Sequence, residues 1–231
     1  MFAGLVFSAL FCCVVEGAKE GDRFTALPGF EGVVWDFATY SGFLDVPVPF
    51  RRFNALKVHY QFHTSQRSVS DPVVTWHQGG PGSSSIAVGL YGEMGVFRVG
   101  ENGNYLNPWA WNKVASMLYL ESPAGSGGSH GFSACFLDGT AVDCVWDDKT
   151  QGEAYAHALQ AFFESFPEFK SNDLYLTGES YFGQYGPNIA HFIVNNEPFK
   201  SELNLKGMAL GNACWGGNET LVACNGPSED R

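Results

Sequence analysis

The stretch Leu176 to Gly186, LTGESYFGQYG, sets a serine among glycines directly behind the segment FKSNDLYL at 169–176. A serine hydroxyl is a weak nucleophile at its free pKa. It attacks only when a base, an orienting acid and donors for the developing oxyanion surround it. A sharp strand-to-helix turn of the G-x-S-x-G kind holds such a serine up at the end of a buried strand, and the turn needs small neighbours. Gly178 fits; Phe182 stands where the second small residue is expected, and glycine comes at 183. Alone, the pattern also describes an ordinary turn between a strand and a helix. Its place behind an apolar strand points to Ser180 as a nucleophile.

A second stretch, TWHQGGPGSSS at 75–85, has two consecutive glycines, a proline and a third glycine. Without a Cβ in the way, backbone amides there can approach a ligand closely. An oxyanion site in such a fold takes one N–H from the residue after the nucleophile and one from a loop after an earlier strand. Tyr181 and Gly80 occupy those places. A plain Gly-Pro turn is the alternative. A phosphate-cradling loop is excluded, because no Gly-Lys-Ser/Thr follows.

The elements that must position these residues are legible around them. Residues 32–64 alternate β-rich pieces with turn residues and predict an antiparallel entry. DPVVTW at 71–76, ASMLYLE at 115–121, DLYLTG at 173–178 and LKGMALGN at 205–212 read as short buried strands. Between them, Ala154, Ala158, Leu159, Phe162, Phe163 and Phe166 recur at helical spacing, and Pro167 ends the segment. The residues after Ser180 predict another helix. Strands alternating with helices, each strand ending in a glycine loop, imply an α/β fold with chemistry at the carboxyl edge of a mostly parallel sheet.

Composition narrows the function classes. The 231 residues are 45% hydrophobic and only 16% charged, so a packed core is expected and wholesale disorder is not. A net charge of −11 repels phosphate backbones and leaves no basic face for nucleic acid or anionic lipid. The apolar run from Phe2 to Val15 falls short of the roughly 20 residues of a membrane-spanning helix. Small residues at Val15 and Gly17 fit a signal-peptidase site, although no Lys or Arg precedes the run. Residues 1–17 are therefore read as a secretory signal and 18–231 as one partial domain; a buried N-terminal segment is the alternative. No membrane anchor is expected.

On that reading Cys12 and Cys13 leave with the signal. Cys135, Cys144, Cys214 and Cys224 remain for an oxidising compartment, with three possible connectivities. Local pairing, Cys135 with Cys144 and Cys214 with Cys224, is the expectation. Zinc is the rival, but the chain has no C-x-x-C pair and no histidine at ligand spacing, so no metal or other cofactor is expected. Asn218-Glu219-Thr220 is a glycosylation sequon.

A third stretch, NPWAWNKVASMLYLESPAGSGGSHG at 107–131, joins GGPGSSS, FPEFKSNDLYLTGESYFGQYGPNIA and LNLKGMALGN in one order. Together, from LPGF at 27–30 to about residue 212, they resemble the serine carboxypeptidase family within the α/β-hydrolase fold. The resemblance implies that Ser180 is the acylating nucleophile and that the amides of Gly80 and Tyr181 form the oxyanion hole. It also implies that Gln78, Glu93 and Glu179 grip the substrate's C-terminal carboxylate. Two adjacent carboxyls cannot both ionise easily, so one keeps a proton to donate, and binding should weaken as pH rises. Glu93 and Glu179 are otherwise plain surface charges. The implied substrate is a peptide or protein C-terminus, and the implied location is the secretory route, vacuolar, lysosomal or extracellular.

Departures from the family pattern are Gln78 for the usual Asn, Ser83 for the Cys that follows GGPG, and Phe182 for a usual Ala. Gln78 is one methylene longer, the Ser83 change removes a disulfide, and Phe182 is expected to narrow the site or alter side-chain preference. The largest departure concerns the triad, whose order in this fold is Ser, then Asp or Glu, then His. After Ser180 come 231 − 180 = 51 residues, with His191 the only histidine among them. Eleven residues of helix span about 16 Å, whereas the base must lie within about 3 Å of the serine oxygen. His77 and His130 fall on loops that could face the site, but neither matches a family position. The expectation is the N-terminal part of an α/β-hydrolase, apparently truncated after the nucleophile half, with the Asp and His of the triad absent. The readings are a serine-type carboxypeptidase working through an acyl-enzyme, a related acyltransferase, or a non-catalytic fragment.

Overall fold

The computed structural model describes residues 19–101, 103–125 and 132–214. The expected signal at 1–17, His130, Cys224 and the Asn218 sequon lie outside them. Strands β1 (Thr39–Pro47) and β2 (Ala55–His63) pair antiparallel along their whole length, from Thr39 opposite His63 to Pro47 opposite Ala55. β3 (Val73–His77) follows, then a two-stranded ribbon of β4 (Phe97–Arg98) and β5 (Tyr105–Leu106). β6 (Ser116–Leu120), β7 (Ala134–Leu137) and β8 (Thr140–Val142) precede helix α1 (Asp148–Ser165). β9 (Leu174–Glu179), α2 (Phe182–Asn195), the single turn α3 (Phe199–Glu202) and β10 (Leu205–Gly211) complete the described order.

The main sheet is mixed. β6, β3, β9 and β10 run parallel, side by side, as the glycine-ended apolar runs predict. β2 joins this block antiparallel to β6, and β1, β7 and β8 extend the antiparallel flank. Central parallel strands are covered on both faces, which is why SMLYL of β6 is apolar or small throughout and entirely buried. Alternation along the strands assigns the faces. Leu118 and Leu120 of β6 join Leu174 and Leu176 of β9 against α1 and α2. Met117 and Tyr119 join Trp76 of β3 against Ile86, Leu90 and Met94. Those last three lie on a wide π-helix, Ser85–Met94, a geometry often found near functional sites.

α1 begins where Asp147 and Thr150 satisfy each other's backbone in a capping box, with Asp147 Oδ1 accepting from Thr150 N–H at 2.8 Å. Its apolar stripe presents Phe162 and Phe166 to Phe62 of β2, with ring centroids 4.9 and 5.2 Å away. Each such pair adds about 0.5–1.5 kcal/mol beyond area burial. The Cys135–Cys144 disulfide ties β7 to the segment after β8. The other expected pairing, Cys214 with Cys224, lies outside the described residues. Among the described residues β10 forms one edge of the sheet, and Met208 on it is 45% exposed.

Candidate active site

β9 ends at Glu179, and Ser180 turns the chain into α2 with φ +59°, a left-handed conformation that a residue with a Cβ adopts only when its surroundings hold it there. Ser180 N–H donates to Gly211 O at 2.9 Å, while its carbonyl accepts from Gly183 N–H at 3.0 Å and Cys214 N–H at 2.8 Å. The glycines explain themselves sterically. A Cβ at Gly178 would lie 2.3 Å from His77 O, and one at Gly183 would lie 2.2 Å from Cys214 O. The expectation that Phe182 narrows the site is corrected. Its ring is fully buried beneath the turn, in space left by Gly178 and Gly186, and packs in the core below α1 and α2.

The glycine loop lies against this turn. A Cβ at Gly79 would meet Tyr181 N at 2.5 Å and Ser180 Cβ at 2.7 Å. Gly80 takes φ +113°, and Gly79 O accepts from Ser83 N–H at 3.0 Å. Across a trans peptide the N–H points opposite to the C=O. The Gly80 N–H is therefore directed away from Ser83.

Beside the turn the three expected carboxylate-binding residues come together. Gln78 Nε2 donates to Glu179 Oε1 at 2.5 Å, and Gln78 Oε1 accepts from Trp76 Nε1 at 3.0 Å. The extra methylene of Gln78 is thus taken up by a tryptophan two residues earlier on the same face of β3. Gly89 makes room for the pair, since a Cβ there would lie 2.4 Å from the Trp76 ring. Burial raises the Glu93 carboxyl above its ordinary value; the charge of Glu179 and a hydrogen bond with its carboxyl add to this, and Arg98 opposes it. Arg98 Nη1 donates to the Glu93 carbonyl. Among the described residues, Glu93 Oε2 and Arg98 Nε are buried without partners.

Two more groups support this arrangement without having been singled out from sequence. Glu121, at the end of β6, accepts from Ser84 Oγ at 2.9 Å and from Ile86 N–H at 3.4 Å, anchoring the start of the π-helix. Arg98 was signalled only by being a lone cation in the apolar run VFRV.

No described histidine is hydrogen-bonded to Ser180 Oγ, which lies 3.9 Å from Cys214 Sγ. His191 lies on α2 with Nδ1 3.2 Å from Asn195 Nδ2. His77 does not face the site: it is fully buried on the opposite side of β3, where desolvation lowers its pKa to about 4. His59 and His63 are engaged with Ser41 and Gln61, and His157 packs on Phe199.

This geometry coincides with a family match. Residues 28–223 fit the model of the family described as serine carboxypeptidase. The chain belongs to the serine carboxypeptidase family. Among curated relatives of this serine carboxypeptidase family member, the mouse lysosomal protective protein is 40% identical over 200 residues, covering 85% of this chain and 38% of the relative. Serine carboxypeptidase-like 25 of Arabidopsis thaliana is 37% identical over 202 residues, covering 86% and 40%. A prohormone-processing carboxypeptidase from Saccharomyces cerevisiae superposes with a TM-score of 0.67 at 26% identity, covering 85% of this chain and 44% of that one. The chain thus spans about 40% of the length of the curated relatives it matches. Among the described residues no helix is long and apolar enough to cross a membrane, and no group of three or more His, Cys, Asp or Glu is placed to hold a metal.

Proposed function

We propose that this chain is the nucleophile-bearing part of a serine carboxypeptidase that releases C-terminal residues from peptides through an acyl-enzyme at Ser180. The observation that carries the proposal is the apposition of Gly79 to the Ser180–Tyr181 backbone, 2.5 Å from a glycine's missing Cβ to Tyr181 N. In this reading the Ser180 hydroxyl attacks the scissile carbonyl. Charge then builds on the carbonyl oxygen, where the N–H groups of Tyr181 and Gly80 receive it. Gln78, Glu179 and Glu93 hold the substrate's terminal carboxylate, with one of the two acids protonated and donating. The Glu93 oxygen and Arg98 nitrogen left without partners support a polar ligand there. Loss of that shared proton at higher pH favours work in an acidic compartment of the secretory route.

The general base and its acid are proposed to come from sequence outside these 231 residues. The test is to react the purified chain with a fluorophosphonate and to assay release of the last residue from a blocked dipeptide. Labelling at Ser180 that Ser180→Ala abolishes supports an activated nucleophile. Amino-acid release supports hydrolysis, and ester formation with an added alcohol would instead support acyl transfer. A chain that neither labels nor hydrolyses, together with a genuine stop codon after Arg231 in the transcript, would defeat the proposal.

A further inference from the structure

His77 is a buried, titratable side chain that the reaction proposed above does not use. The alternation of β3 turns it toward α1 and α2, opposite to Trp76 and Gln78. Its ring centroid lies 5.2 Å from Tyr155, 4.7 Å from Tyr185 and 5.6 Å from Phe182, stacked on the last at 30°. Nδ1 is 2.6 Å from Gln78 O, and Nε2 is 3.1 Å from Gln151 Nε2. A carbonyl oxygen only accepts, so Nδ1 carries the proton; Nε2 is then bare and accepts from the Gln151 amide.

The residues that follow give this tautomer a consequence. Gly79 and Gly80 impose almost no torsional preference of their own, so their peptide planes must be pinned from outside. One pin is Ser83 N–H on Gly79 O. The other is His77 Nδ1–H on Gln78 O, which fixes the plane immediately before.

We propose that His77 is a positioning residue: its Nδ1–H, held by the Gln78 carbonyl, sets the path of the glycine loop and thereby the direction of the Gly80 N–H. Its effect on rate rests on the acyl-enzyme reading of Ser180; its effect on loop geometry does not. Phe182 belongs to the same device, since its ring packs flat on the imidazole and keeps it dry.

The test uses the full chain labelled with ¹⁵N. Long-range proton–nitrogen correlations should find His77 protonated at Nδ1 and bare at Nε2. His77→Leu fills the slot without a donor; it should displace the Gly80 amide resonance and slow fluorophosphonate labelling of Ser180 by about tenfold. His77→Asn, whose Nδ2 can stand in for Nδ1, should restore the resonance and bring labelling to within about threefold of wild type. Binding of a blocked dipeptide, followed by tryptophan fluorescence, should be unchanged in both, because the Gly80 donor acts on charge that forms only during attack. A proton on Nε2, a Gly80 resonance indifferent to His77→Leu, or failure of His77→Asn to restore it would overturn the proposal. A wild-type chain that does not label, with a genuine stop codon after Arg231 in its transcript, would refute the acyl-enzyme reading instead. The tautomer and the Gly80 resonance would still decide the role of His77, and the tautomer needs no variant to fold.

Discussion

One methyl group added at Gly79 should part the glycine loop from the nucleophile turn. An alanine Cβ there would sit 2.5 Å from Tyr181 N, 2.7 Å from Ser180 Cβ and 2.8 Å from Glu179 O. Two of these are backbone atoms and the third is one bond from the backbone, so no side-chain rotation relieves the contact. Ordinary contact begins at 3.4 Å, and 3.4 − 2.5 leaves 0.9 Å by which the two backbones must separate. Gly79 is not in the left-handed region, so the effect is one of contact and not of backbone strain. Overpacking of this kind costs about 1–3 kcal/mol. At about 2–4 °C per kcal/mol for a chain of this size, Tm should fall by roughly 2–12 °C. Reactivity should suffer more, because a misplacement of about 1 Å can cost on the order of 100-fold. The assay is the rate of fluorophosphonate labelling at Ser180 beside a thermal melt of the same preparation. Gly92→Ala is the control, since the nearest atom to its Cβ is Ala87 O at 3.5 Å. If Gly79→Ala labels at the wild-type rate and melts at the wild-type temperature, the loop does not lie against the turn, and the oxyanion reading goes with it.

Glu93→Gln should flatten the pH dependence of peptide-end binding. Wild-type affinity, read by tryptophan fluorescence from about pH 4 to 8, should fall as pH rises through the raised Glu93 pKa, whereas the amide keeps a donor at every pH. Glu121 is also raised by burial, with Ser84 and the Ile86 amide opposing, so the folded state holds its proton more tightly than the unfolded chain. Stability should therefore decline as pH rises from the ordinary carboxylate range through the folded pKa, and Glu121→Gln should reduce that decline in thermal melts from about pH 4 to 7. The Cys135–Cys144 bridge closes a loop of sequence separation 9, worth about 2–3 kcal/mol on a chain-entropy model. Reduction, or Cys135→Ser with Cys144→Ser, should lower Tm by roughly 4–12 °C.

The parallel strands were legible because burial on both faces leaves an unbroken apolar signature. VVTWH, SMLYL and LYLTGE each fall within a residue or two of the expected run. α1 starts at Asp148, ahead of Ala154 where the expected apolar stripe begins, because the Asp147–Thr150 capping box, not the stripe, sets its first turn. The π-helix at Ser85–Met94 was not legible: its wider turn breaks the 3.6-residue period, and Gly89 and Gly92 read as loop. Of the candidate site residues, Ser180, Gly80 and Tyr181 follow from spacing, whereas Gln78, Glu93 and Glu179 are reached only through family resemblance. The partners Trp76 and Arg98 were missed because a tryptophan in an apolar strand and a lone cation in VFRV do not by themselves point to a site. Phe182 was misjudged for a different reason. Whether a turn residue points up into a site or down into a core depends on the space left by Gly178 and Gly186, which sequence spacing does not reveal.

The end of β3 shows why family membership and the identity of each residue separate so cleanly. Successive side chains there leave the sheet on opposite faces. His77 goes to the side of α1 and α2, among Tyr155, Phe182 and Tyr185; Gln78, also buried, goes to the side of the π-helix, between Trp76 and Glu179. Two departures from the family pattern are each met by a contact on their own face: Phe182 lies against the imidazole, and Trp76 donates to the oxygen of the longer amide. The backbone between the two faces is what both sets of contacts hold in common. On the proposed reading, a change at 77 would reach the chemistry through peptide planes, and a change at 78 through the bound peptide end. On the proposed reading, adjacent residues at the end of β3 would govern different quantities, the rate of attack on one side and the grip on the peptide end on the other.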